Sequence, residues 1–132
     1  MLVPDASLVV DLLVDGGDRG EWAAGRIAAA DLLHAPHLLD LEVASAFRKR
    51  VQRGELSQRR ALAGLRDVSE LPIVRYPATP LLERIWQLRD RLSPYDAAYV
   101  ALAEALDLPL YTTDLRLARA GGHTADIVSF GG

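Results

Sequence analysis

Short apolar runs alternate along the chain with longer stretches in which apolar positions return every three or four residues. The two periods separate strands from helices. Leu2 to Asp5 reads as a buried strand, followed by a helix over Ala6 to Val14 that Gly16 and Gly17 stop. An Ala-rich helix is expected over Gly20 to Ala30, a strand over Leu33 to Ala35 ended by Pro36, and a helix over Leu38 to Val51. Ser57 is suited to cap a helix reaching about Glu70. Ile73 to Tyr76, between Pro72 and Pro77, reads as a strand. Pro80 to Leu92 and Pro94 to Leu106 read as helices, the second with Ser93 as cap and Pro94 in the first position, where no N–H is needed. Pro109 to Thr112 is a strand, Leu115 to Ala120 a short helix ended by Gly121 and Gly122, and Asp126 to Ser129 a last strand.

Strands alternating with helices predict an α/β fold: a central parallel sheet of about five short strands with helices on both faces. A length of 132 residues suits one domain spanning 1–132. Half of the residues are hydrophobic and a quarter charged, the profile of a folded soluble chain. Cysteine is absent, so a metal would have to be held by oxygen or imidazole ligands. The N-terminal stretch carries Asp5 and Asp11 and no basic leader, so neither a signal peptide nor a membrane span is expected there, and a cytoplasmic protein is expected.

The net charge of −3 is unevenly spread. Residues 1–40 hold seven acids against Arg19 and Arg26, whereas residues 41–66 hold Arg48, Lys49, Arg50, Arg53, Arg59, Arg60 and Arg66 against Glu42 and Glu55. This basic segment reads either as a surface for nucleic acid or an acidic partner, or as a solvated helix face.

Ligands of parallel sheets gather beyond the carboxyl ends of the strands. Asp5 ends the first strand, Asp114 follows the fourth, Asp96 lies in the first turn of the helix before that strand, and Glu42 comes early in the helix after the second. Each aspartate has a structural explanation: Asp5 and Asp114 can cap the helices they precede, and Asp96 stands at capping-box spacing from Ser93. Glu42 has mainly apolar neighbours, so it is either partly desolvated or wet at the edge of its face. Together the four would repel: two carboxylates about 5 Å apart at an effective dielectric near 20 do so by roughly 3 kcal/mol. Oxygen-only ligands favour Mg²⁺ or Mn²⁺ over zinc, and such ions suit phosphodiester hydrolysis.

Four segments carry a family resemblance: Val3-Pro4-Asp5-Ala6-Ser7, Leu41-Glu42-Val43, Ser93-Pro94-Tyr95-Asp96-Ala97-Ala98-Tyr99-Val100-Ala101-Leu102-Ala103, and Thr112-Thr113-Asp114-Leu115-Arg116-Leu117-Ala118. With them the chain resembles, over essentially its whole length, the PIN-domain nucleases and in particular the VapC-type toxins of bacterial toxin–antitoxin pairs. The resemblance implies that Asp5, Glu42, Asp96 and Asp114 bind Mg²⁺ or Mn²⁺, with Glu42 as ligand or water-orienting base. Ser7 and Thr112 or Thr113 would support them by hydrogen bonds. It implies a Mg²⁺-dependent endoribonuclease cleaving RNA by metal-activated water, a homodimer, and a VapB-type antitoxin, with Arg48, Arg50 and Arg53 available to RNA or antitoxin. Where some PIN domains carry a further acid after Asp114, this chain has Arg116 and Arg119, which leaves one or two metals open. Pro4 removes a backbone donor near the end of the first strand and is expected to be tolerated.

Two rival enzyme classes fit poorly. A receiver domain wants an acidic pair after the first strand and a lysine near the last, and Lys49 is the only lysine. A haloacid-dehalogenase-type phosphatase wants an acid where Ser7 stands. A non-catalytic PIN-like binding module is the remaining alternative. His34 and His37 read as a loop pair around Pro36 rather than a zinc pair, His123 as a loop residue, Asp11 as a solvated or partner-facing charge, and Trp22 and Trp86 as core or dimer contacts.

Overall fold

A computed structural model describes residues 1–131; Gly132, the last residue of the expected domain, lies outside the described residues. In chain order the elements are β1 (Val3–Pro4), α1 (Ala6–Val14), α2 (Asp18–Ala28), β2 (Leu33–Pro36), α3 (Leu38–Gln52), α4 (Gln58–Glu70), β3 (Ile73–Tyr76), a 3₁₀ turn (Thr79–Leu81), α5 (Leu82–Gln87), α6 (Pro94–Leu106), β4 (Leu110–Thr112), α7 (Leu115–Ala118) and β5 (Ile127–Ser129). All strand pairs are parallel, so the α/β architecture expected from the alternating pattern is the one observed.

The five strands form two ladders, β1-β4-β5 and β2-β3, joined only by the bridge Leu2↔Leu33. Pro4 explains the division. The N–H groups of Val3 and Asp5 donate to Pro109 and Tyr111 on the β4 side. By the alternation of a strand, the nitrogen of Pro4 faces β2. His34 N–H donates to the Leu2 carbonyl at 3.0 Å, but the next rung would need an N–H that proline lacks. Pro4 is tolerated as expected, at the cost of one seam.

The core joins α6 to the sheet: Val3, Leu110, Ala97, Ala98, Tyr99, Val100 and Leu102 are all essentially sealed from water. The run of small residues on α6 lets that helix lie close across β1, β2 and β4. Gly20 serves the same purpose between α1 and α2, since a Cβ there would stand 1.9 Å from the Asp15 carbonyl oxygen. No helix among the described residues is long and apolar enough to cross a membrane.

Several boundaries differ from expectation. Helix α2 begins at Asp18 rather than Gly20, because the Asp15 carboxylate accepts the Gly17 and Gly20 N–H groups and organises the entry. Strand β2 includes Pro36, whose missing donor is bypassed by His37 N–H donating to Tyr76 O. This puts His34 in a strand, not a loop, with its ring Nδ1 2.7 Å from the Tyr76 hydroxyl. The helix expected over Pro80 to Leu92 is regular only over Leu82–Gln87. Beyond it the chain tightens into i→i−3 bonds while the Arg89 guanidinium takes the Trp86 carbonyl. Trp22 packs against Tyr111 and Phe130, but Trp86 is 67% exposed and so is not a core residue.

Candidate acidic active site

The carboxyl edge of β1 and β4 collects the chemistry. Asp5 leaves β1 and is buried there, 5% exposed. Its Oδ1 caps α1 by accepting Leu8 N–H at 3.0 Å and also accepts the Ser7 hydroxyl at 2.7 Å; its Oδ2 accepts the Thr112 hydroxyl at 2.5 Å. Thr112 Oγ1 in turn accepts Asp114 N–H, so one hydroxyl ties the two aspartates at the strand ends. Burial raises the Asp5 pKa to about 6. The hydrogen bonds from Thr112, Ser7 and Leu8 oppose that rise, and the charge of Asp114 adds to it.

Helices α3 and α6 both begin at this edge and bring in the other two acids. Glu42, half-buried on α3, accepts the Tyr99 hydroxyl of α6 at 2.7 Å. Desolvation raises its pKa, the Tyr99 bond works against this, and the charge of Asp96 reinforces it. The Tyr99 phenol is itself pushed well up by burial and by Glu42, so it stays protonated and donates. Asp96 sits in the first turn of α6, where Ser93 Oγ accepts its N–H at 3.2 Å. Asp114 caps α7 through Arg116 N–H at 2.9 Å. The capping roles expected for Asp5 and Asp114 are therefore real and coexist with a place in the acidic cluster.

A cation lies among these acids and offsets the repulsion expected of them. Arg116 Nη2 donates to Asp96 Oδ2 at 3.0 Å and to Asp114 Oδ2 at 3.2 Å, because the single turn of α7 folds its side chain back over the strand end. Among the described residues, no three acidic or imidazole side chains converge into one ready-made ligand set. Asp5 neighbours Asp114, and Glu42 neighbours Asp96, with Arg116 joining the two pairs. The donors are all oxygen, and a buried charge at Asp5 is held by neutral hydroxyls. These features fit a small hard cation.

Next to the cluster opens a cleft of about 640 Å³, whose lining includes Ser7, Glu42 and Asp114 on one side and Arg19, Lys49 and Arg50 among its cations. Of the three arginines expected to contact RNA or a partner, only Arg50 lines it. Arg48 borders a separate apolar groove between α3 and α4, and Arg53 lies exposed just beyond the end of α3.

Two contributors escaped the sequence reading. Asp11, expected to be a solvated or partner-facing charge, is 7% exposed, accepts the Thr113 hydroxyl at 2.6 Å and has Arg50 at 3.8 Å. Thr113 therefore supports Asp11 by its side chain rather than one of the four acids, while its N–H donates to Ser7 Oγ. Tyr99 stands three residues after Asp96, a spacing that puts both on one helix face and was the available signal.

The PIN domain family matches residues 2–123. The ribonuclease VapC9 of Mycobacterium tuberculosis is 45% identical over 121 residues, 92% of this chain and 91% of that protein. Among solved structures, Mycobacterium tuberculosis VapC20, described as a sarcin-ricin loop cleaving toxin, superposes with a TM-score of 0.71 at 17% identity. That match covers 89% of this chain and 93% of that one. VapBC2 from Rickettsia felis, bound to a DNA fragment from its promoter, gives 0.69 at 11% identity over 98% of each chain. At such identities these two likenesses speak for the fold alone.

Proposed function

The chain belongs to the PIN-domain family, and from that premise we propose that it is a Mg²⁺-dependent endoribonuclease, the toxin of a toxin–antitoxin pair. The observation that carries this reading is the gathering of Asp5, Glu42, Asp96 and Asp114 around one sheet edge, beside a cleft that also presents Arg19, Lys49 and Arg50. Identity of 45% to a VapC ribonuclease over nearly the whole chain supports RNA as the substrate class.

Asp5, Asp96 and Asp114, with Glu42 as a fourth ligand or as the base, would hold Mg²⁺ or Mn²⁺. Such an ion, when bound, lowers the pKa of a water and neutralises charge on a phosphodiester. Ser7 and Thr112 fix the Asp5 carboxylate from two sides, so its orientation does not wait on ligand binding. Tyr99 holds Glu42 in place. Half-burial makes Glu42 a better proton acceptor than an exposed glutamate, which suits it to take a proton from the attacking water. Arg19, Lys49 and Arg50 line the same cleft and balance the phosphates of a bound strand. A VapB-type antitoxin and a homodimer belong to this reading.

Asp96→Asn should lower Mg²⁺-dependent cleavage of RNA by at least the roughly 10- to 100-fold that loss of an outer ligand partner costs. Cleavage by this variant at the unaltered rate would sink the assignment. A non-catalytic binding module is favoured by one observation, the internal neutralisation of Asp96 and Asp114 by Arg116. Thermal melting with and without Mn²⁺ separates the two, because a metal centre gains stability with the ion and a self-neutralised module does not.

A further inference from the structure

The four acids are balanced in two different ways. Asp5 and Glu42 are held by neutral hydroxyls, those of Thr112 and Tyr99 in the core and of the half-buried Ser7. Asp96 and Asp114 share a cation instead, and that cation is loosely placed. The Arg116 side chain is 71% exposed, against 21% for Asp96 and 32% for Asp114. It is carried by a single helical turn begun by Asp114 itself, so one carboxylate receives the backbone N–H of Arg116 on Oδ1 and its guanidinium on Oδ2. Exposed ion pairs contribute little to folding. The arginine is also not enclosed by neighbours that would trap it, since it lines the open cleft. Its position answers an electrostatic need, because two carboxylates brought together require a positive charge between them.

Resting on the reading of this cluster as a divalent-metal centre, we propose that Arg116 is a built-in counter-ion that a divalent cation must displace from Asp96 and Asp114. The guanidinium occupies the space between the two carboxylates and balances their charge until the metal arrives. It then moves further into the cleft that it already lines. Metal affinity is thereby set lower than the carboxylates alone would give, by the competition of a tethered charge.

Isothermal titration of Mn²⁺ and of Mg²⁺ into the metal-free full chain tests this, comparing the wild type with Arg116→Ala, Arg116→Lys and Arg119→Ala. Arg119 is exposed just beyond the same turn and has no hydrogen bond or ion pair to these acids, so its loss changes net charge equally. We expect Arg116→Ala to bind Mn²⁺ about three- to tenfold more tightly than the wild type. Arg116→Lys should fall between them and Arg119→Ala should be unchanged, with circular dichroism melting curves showing each variant folded. Should Arg116→Ala fail to fold, Arg116→Gln carries the same expectation with a longer side chain. Saturable binding by the wild type with no gain on removing Arg116, or an equal gain on removing Arg119, would overturn the counter-ion role and leave the metal centre standing. No saturable binding by the wild type would overturn the metal centre itself, and the counter-ion role with it.

Discussion

Asp5 shows how a buried charge weighs on folding. Its carboxyl pKa stands at about 6 in the folded chain against an ordinary value of 3.8. An acid whose folded pKa is raised binds its proton more tightly when folded, so the fold gains stability as pH drops from above 6 toward 3.8, and bears the cost of the charge at neutral pH. Asp5→Asn should therefore raise the stability of the metal-free protein at pH 7.5, by up to about 2–3 kcal/mol, while removing stabilisation by Mn²⁺. Asparagine can still accept Leu8 N–H and Ser7 on its oxygen and turn its amide toward Thr112. Paired melting curves with and without Mn²⁺ read both changes, and a variant less stable without metal contradicts the account. Asp5 was legible as an acid at a strand end because its cap and its strand are local. Asp11 was not: its burial is set by Thr113, 102 positions away, and by Arg50, neither of which helical periodicity around residue 11 reports.

Helices in this fold are positioned by polar ties as well as by their apolar faces. Arg84 of α5 reaches Glu104 of α6 with two parallel bonds at 2.8 and 2.9 Å, and Glu104 also accepts Thr124 N–H at 2.8 Å, fastening α5, α6 and the segment before β5. The Arg84 bond, more than the opposing burial, lowers the Glu104 pKa to about 2 from 4.5. A depressed folded pKa means stability that is present above 4.5 and lost as pH falls toward 2. Glu104→Gln should cost about 1–2 kcal/mol at neutral pH, allowing for the partial exposure of Arg84. The gap from the wild type should close between pH 4.5 and 2, as urea melts across that range would record; a gap that persists at pH 2 would point to packing instead. The early end of α5 was misjudged from sequence for a local reason. Leu81, Ile85, Leu88 and Leu92 carry a helix-like apolar rhythm, but Arg89 takes the Trp86 carbonyl and the exit tightens before Ser93 and Pro94. Strand β3 and helix α6 were legible because Pro72 and Pro77 flank the one, and Ser93 and Pro94 open the other.

Across the whole molecule, the basic segment of residues 41–66 does not act as one surface. Arg50 turns toward Asp11 and the cleft, Arg60 donates to the Leu13 carbonyl at the end of α1, and Arg48 borders the α3–α4 groove. Composition revealed the excess of positive charge, but only the packing of α1 against α3 and α4 distributes it. The division of the sheet by Pro4 belongs to this scale too. With one bridge between the ladders, β2-β3 can open as its own cooperative unit while β1-β4-β5, which carries Asp5 and Asp114, stays closed. Native-state amide hydrogen exchange should give lower opening energies for residues 33–35 and 73–76 than for Val3, Asp5, Leu110 and Thr112; one shared value across both ladders would show that the seam does not matter. If exchange separates the ladders in this way, a missing hydrogen on a single nitrogen confines breathing to the half of the sheet that carries neither Asp5 nor Asp114.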